Sequence, residues 1–263
     1  MGEHDTWFHL LPGFGNVEAA LAHALGKTMS GEEVHSLWHV VMALFVMVIV
    51  LSMAMRFRGR LAAAADGGVV PEAAVNVRSF FENFGGAILS MMTGIMGDKN
   101  ARVYFPLIGS LGVFILVSNL MGMVPGLLPP TSNFNTTVAC AVIVFCVTHV
   151  EGVRKNGIVY FKHFLGPVPW LIPLMLPLEI VSHLVRPFSL SVRLMCNMTA
   201  DHILVSVFLG LVAVPLLVPL PVMALGLLVC LVQTAVFCIL SSVYVALAVE
   251  QHEAHEDHAH PAH

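Results

Sequence analysis

Residues 174–214 read LMLPLEIVSHLVRPFSLSVRLMCNMTADHILVSVFLGLVAV, and how these 41 residues are read decides the fold. They lie in a stretch, 163–249, whose only formally charged residues are Glu179, Arg186, Arg193 and Asp201. As one helix they would be about 60 Å long at about 1.5 Å per residue, against a bilayer hydrocarbon core of about 30 Å. Such a helix must tilt steeply or bend, and Pro177 and Pro187 offer places to bend because each removes a backbone hydrogen bond.

Composition places the stretch in lipid. The chain is 57% hydrophobic and 11% charged, whereas a soluble domain carries about 25% charged residues. The fold class expected is an all-α integral membrane protein. It would have about five membrane-embedded helices plus one interfacial amphipathic helix, the last two membrane helices being long and strongly tilted. The 263 residues suit one membrane domain, 37–250, flanked by an N-terminal extracytoplasmic segment, 1–36, and a disordered His-rich tail, 251–263. A net charge of -4 argues against a nucleic-acid partner, which would call for a basic patch. Cys140, Cys146, Cys196, Cys230 and Cys238 sit in apolar runs without a CxxC, so packing roles are expected rather than disulfides or metal ligation. The opening MGEHDTWFHL lacks the basic start and apolar core of a signal peptide, and the N-terminus is expected to be retained.

The first crossing is expected over about 37–55, stopping at RFRGR (56–60), with a linker over 62–71. From Val77, the residues Phe80, Phe81, Phe84, Ile88, Met91 and Ile95 recur at helical spacing. This predicts a helix lying at the interface, or a buried element packed on its neighbours. Further crossings are expected over about 104–124 and 136–150, joined by PGLLPPTSNFN (125–135), and then two long helices divided by VPLLVPLPV (214–222). If RFRGR is inside, nine flanking cations (Arg56, Arg58, Arg60, Arg78, Lys99, Arg102, Arg154, Lys155 and Lys162) are inside and Lys27 alone is outside. That predicts an N-terminus outside and a C-terminus in the cytoplasm.

On the long helix, Glu179, Ser182, His183, Arg186, Ser189, Arg193, Asn197 and Asp201 fall within roughly 120° of arc. Polar groups in lipid must face protein or water, and an arginine at a helix centre costs at least about 2.5–3.5 kcal/mol. The stripe is therefore either an internal network gluing helices or a path for ions. Carboxylates and imidazoles take and release protons, whereas a guanidinium keeps its proton. Two proton-competent ends separated by a permanent cation are what a barrier between two half-paths would need.

SLSVRLMCNM (189–198), preceded by LEIVSHLVRP (178–187), resembles the signature of subunit a of the F-type ATP synthase. SNLMGMVP (118–125), SNFNTT (132–137) and LVQTAVF (231–237) extend the resemblance in the family's order, over about residues 37–250. The resemblance implies a proton-translocating stator subunit of the bacterial inner membrane that performs no bond chemistry and needs no cofactor or metal. Its partners would be the ring of c subunits, b-type peripheral stalk subunits and membrane lipid. Arg193 would be the essential arginine facing the ring carboxylates. Asn119, Asn197, His202 and Gln233 match positions in or near the outer half-channel; Glu179, Ser182 and Ser189 match positions toward the inner one.

This chain departs from the family's pattern at several places. Met195-Cys196 replaces the usual Phe-Gly, and Asp201 stands where glycine is common. Two turns before Gln233, where some relatives place an acidic or basic partner, the chain has Gly226. Asp201 is therefore expected to replace the missing carboxylate. Taken alone, Gln233 could be a helix-helix hydrogen-bonding residue, Asn119 a cap, His183 and Arg186 structural, and His149 interfacial. The tail QHEAHEDHAHPAH (251–263) has no HExxH, and its loss is expected to cost little. The alternative reading, a stand-alone secondary ion transporter or channel, is disfavoured because no internal repeat is present. A membrane-embedded hydrolase lacks a sufficient set of candidate groups.

Overall fold

Helices dominate because a chain in lipid must satisfy its own backbone hydrogen bonds, and a run of leucine, valine, alanine and methionine does so most simply as a helix. A computed structural model of the chain describes residues 16, 20, 38–63, 76–124, 127–157, 172–211 and 219–250. Among them are five long helices: α1 (Trp38–Ala63), α2 (Val77–Met121), α3 (Phe134–Asn156), α4 (Ile172–Leu211) and α5 (Pro219–Glu250), with a 3-10 turn at Pro130–Ser132. No strand occurs among the described residues. Helices α1, α2, α3 and α5 are long and apolar enough to cross a membrane. The remaining helix, α4, is the one that carries the polar stripe, and it continues through Pro177 and Pro187 for 40 residues. The His-rich tail, the linker beyond Ala63, the divider at 212–218 and nearly all of 1–36 lie outside the described residues.

Helix α2 merges two elements that the sequence suggested were separate, the amphipathic segment from Val77 and the following crossing. They divide at Gly97, whose φ of 76° and ψ of 162° are non-helical. A side chain there would be strained, so glycine lets the chain bend without leaving the element.

The chain falls into two compact units, each assembled from several helices. The first gathers described residues from Met1–Ser79, Val113–Thr137 and Leu194–Thr234; the second from Phe80–Gly112, Val138–Arg193 and Ala235–His263. In the first, Trp38, Met42 and Val46 of α1 pack with Met121 at the end of α2. In the second, Ile88, Met92 and Met96 repeat every fourth residue and bury one stripe against Ala101, Tyr104 and Ile108, together with Cys238, Val245, Ala246 and Val249 of α5. Of the apolar stripe read from the sequence, Ile88 is buried in this core and Phe84 and Ile95 pack against it, whereas Met91 is exposed and Met92 takes the buried position. Between helices in lipid the attraction comes from close packing rather than from water exclusion, which favours small side chains at the contact. Cys230, Thr234, Cys238, Ser241 and Ser242 form such a buried row on α5. Cys140 is buried as well, whereas Cys146 and Cys196 are exposed, contrary to a packing role inside the chain for all five.

Two polar ties close the second unit. Tyr104 donates from Oη to Oε2 of Glu151 at 2.9 Å, joining α2 to α3. Lys155 Nζ donates to Asn100 Oδ1 at 3.4 Å and lies 5.8 Å from the Tyr104 ring centroid.

Candidate functional site

Helix α4 has a buried face and an exposed face, with the polar stripe between them. Leu190, Leu194 and Met198, four residues apart, are buried, whereas Ser189, Arg193, Cys196, Asn197 and Ala200 are exposed. Glu179, Ser182, His183, Arg186, Asp201 and His202 are half-buried. Arg193 makes no hydrogen bond or ion pair with any described residue. It also ends one segment of the second unit, and Leu194 begins a segment of the first.

The residues after Arg193 meet amide and backbone groups. Asn197 donates from Nδ2 to Oε1 of Gln233 at 2.6 Å, linking α4 to α5. Thr131 donates to Asn119 Oδ1 at 2.8 Å, so Asn119 is a buried acceptor for the 3-10 turn rather than a helix cap. The Thr199 hydroxyl reaches the carbonyl of Ser132 at 3.5 Å. Four buried polar atoms in this unit, His39 Nδ1, Ser118 Oγ, Asn119 Nδ2 and Gln233 Nε2, have no hydrogen-bond partner among the described residues. Groups of that sort in a dry interior cost about 1–3 kcal/mol each, so they are where water would be held.

Asp201 belongs to the same unit, and its neighbour on α5 is Gly226. A Cβ placed on Gly226 would come within 2.8 Å of Asp201 Oδ1 and 2.9 Å of Oδ2. The carboxylate therefore lies in the space that a side chain at 226 would occupy, and any larger residue there would have to displace it. His202 stands next to it on α4, half-buried.

The residues before Arg193 have partners of another kind. Glu179 accepts from Nε2 of His183 at 3.2 Å, one turn along α4. The His183 ring stands edge-on to that of His149 of α3, with centroids 5.2 Å apart. His149 Nδ1 lies 2.9 Å from the Phe145 carbonyl oxygen. The Arg186 guanidinium lies 5.6 Å from the ring centroid of Tyr244, on α5. His149, His183, Arg186, Tyr244 and Thr148 all line one small cavity. The sequence did not single out His149 or Tyr244 as parts of this group. His183 was visible as the residue four after Glu179, but nothing local ties α3 or α5 to it. Ser182 and Ser189 lie on the same stretch of α4. Among the described residues, no group of three His, Cys, Asp or Glu side chains is arranged to hold a metal ion.

Comparison with known proteins decides what kind of chain this is. The family model described as "ATP synthase A chain" matches residues 36–246. The chain belongs to this family. Its relatives bear that out along most of their length. One is ATP synthase subunit a of Sorangium cellulosum (strain So ce56), 43% identical over 237 residues, 89% of this chain and 92% of the relative. Another is ATP synthase subunit a 2 of Syntrophotalea carbinolica, 48% identical over 217 residues, 82% of this chain and 87% of the relative. A third, ATP synthase subunit a of Geobacter sulfurreducens, is 48% identical over 179 residues, 68% of this chain and 76% of the relative. As a member of the ATP synthase A chain family, this is a multi-pass membrane protein concerned with ion transport in ATP synthesis. It is a membrane-sector subunit and not the catalytic part of the enzyme.

Proposed function

We propose that the chain is the proton-translocating stator subunit of a rotary F-type ATP synthase, with Arg193 as the fixed cation that separates two half-paths. The observation that carries this reading is the placement of Arg193: exposed on α4, a long and largely apolar helix, with no partner among the described residues. A bare guanidinium facing lipid costs at least about 2.5–3.5 kcal/mol, so a neighbouring chain bearing an anion is the natural complement. In this family that neighbour is the ring of c subunits, whose carboxylate is ionised opposite the arginine and protonated in lipid. Peripheral stalk subunits of the b type hold the stator against the ring.

The polar residues on either side of Arg193 supply the paths. Asn119, Asn197, Asp201, His202 and Gln233 form the outer one, whose unpartnered amide groups and carboxylate suit a file of water. Asp201 acts there as the carboxylate that Gly226 lacks. Glu179, Ser182 and Ser189 belong to the inner one. The excess of lysine and arginine in one set of loops supports an N-terminus outside and a C-terminus in the cytoplasm, in a bacterial inner membrane. Protons would enter by the outer path, neutralise a ring carboxylate, travel nearly a full turn and leave by the inner path.

The test is Arg193→Ala in the complete complex, reconstituted in vesicles. The expected result is normal assembly with loss of ATP-driven proton pumping, because without the cation the paths short-circuit or the ring carboxylate stays protonated. Retention of coupled pumping by the assembled variant would overturn the proposal.

A further inference from the structure

The group formed by Glu179, His183 and His149 goes beyond the matched family positions, since two of its three members lie outside them. We infer that His149 and His183 form a proton-relay pair in the inner path, loading and unloading Glu179. This rests on the stator reading above and assigns part of the inner path to α3, a helix that the signature does not touch.

Three observations meet here. First, the rings are close: the His149 and His183 centroids lie 5.2 Å apart, and Glu179 Oε1 lies 3.2 Å from His183 Nε2. Second, the hydrogen bonds set the tautomers. A carbonyl can only accept, so the Phe145 oxygen at 2.9 Å keeps the proton of neutral His149 on Nδ1 and leaves Nε2 as the basic nitrogen. A carboxylate likewise accepts from His183 Nε2, leaving Nδ1 basic. Third, both rings line a cavity of about 20 Å³, which is room for about one water molecule. Thr148, whose hydroxyl donates to the Val144 carbonyl at 2.8 Å, and Tyr244 line the cavity as well.

The relay is then a sequence of balanced proton shifts. In the unloading direction a proton held at His149 Nε2 passes, directly or through that water, to His183 Nδ1. His183 gives its Nε2 proton to Glu179 Oε1, and Glu179 releases it to water. The imidazole is left as its other tautomer, and a ring flip restores the first. The charges that bear on the pair from each packed element are Glu179 and Arg186 of α4, with Tyr244 of α5 the titratable group on the remaining wall. Arg186 adds a fixed positive charge to the wall of the same cavity. Its stacking on Tyr244 holds that cation in place.

The experiment uses the whole complex in vesicles of phosphatidylcholine and phosphatidylglycerol, catalytic sector outward, so that the inner side faces the bath. ATP-driven pumping is measured against bath pH and divided by uncoupled hydrolysis, which removes the pH dependence of the catalytic sector. In the hydrolysis direction the pair must load from the bath. Normalised pumping of the unaltered complex should therefore fall as bath pH rises through the range in which imidazoles lose their proton. His149→Phe keeps a ring against Phe145, and His183→Gln keeps a donor for Glu179. Each should lower pumping by about tenfold or more, flatten the pH profile and respond to added imidazole, which a merely structural residue would not do. A flat profile in the unaltered complex, or variants with unaltered pumping and profile, would overturn the inference. Arg193→Ala, run in parallel, separates the two proposals: lost coupling there with normal histidine variants removes the relay and leaves the stator reading standing.

Discussion

Along α4 the side chains before Arg193 meet groups that titrate, and those after it meet groups that mostly do not. Glu179 and His183 are joined to each other and to His149, with Arg186 against Tyr244. Asn197 is joined to the amide of Gln233, and Asp201 lies against a bare glycine Cα. An amide neither gains nor loses a proton near neutrality, so it can only orient water, whereas an imidazole can carry the proton itself. On the proposed reading, one helix would offer two ways of moving the same ion, a wet file on one side and a side-chain relay on the other. The difference comes from the neighbouring helices, since the α4 residues on the two sides are themselves of mixed kind.

The largest expected disruption of this contrast is at Gly226. Gly226→Leu forces a branched side chain into the place of the Asp201 carboxylate and should abolish most ATP-driven pumping, with overpacking costing about 1–3 kcal/mol or more. Gly226→Ala should be milder, because a carboxylate on a rotatable side chain can withdraw by a few tenths of an ångström. Asp201→Gly should also lower pumping. Adding Gly226→Glu to it should recover part of the loss if position, rather than helix of origin, is what the carboxylate supplies. Pumping in the double variant no better than in Asp201→Gly alone would refute that exchange.

Next comes the Asn197–Gln233 pair. Asn197→Leu leaves Gln233, which is buried, with one fewer partner, at a cost of about 1–3 kcal/mol. The double variant Asn197→Leu, Gln233→Leu should be more stable than Asn197→Leu alone, since neither amide is left stranded, and yet should conduct poorly. Detergent-resistance of the assembled complex reads the first effect and vesicle pumping the second. A double variant that conducts normally would mean that the amides serve packing only.

Smaller still is Tyr104→Phe in the second unit. It removes the 2.9 Å bond to Glu151 and should lower stability by about 0.5–1.5 kcal/mol, with pumping unchanged. The smallest effect is expected from Thr199→Val, because its contact to Ser132 is at 3.5 Å, the outer edge of a hydrogen bond. A clear loss of pumping there would show that the threonine hydroxyl belongs to the water file.

Much of this was legible in the residues alone. A polar stripe on an apolar helix is a periodicity, and periodicity is a local property that the chain carries openly. The same holds for Glu179 and His183, four residues apart, and for Gly226 standing two turns before Gln233. The place of the break in α2 was less clear, because the stripe ends at Ile95 and the next crossing begins near 104, and a lone glycine between them does not announce that its backbone turns. His149 and Tyr244 were out of reach. Each belongs to a different helix from His183, and only the packing of three helices puts them around one cavity.

On the proposed reading, the exposed face of α4 has one more property, its relief. Around Arg193 stand Ser189, Cys196, Asn197 and Ala200, all shorter, so the arginine rises above these neighbours. A neighbouring ring sliding past these short residues would meet the arginine first, and its charge would dominate the contact there. Bulk added at 196 or 200 would act as a brake on the motor while leaving every ionisable group in place.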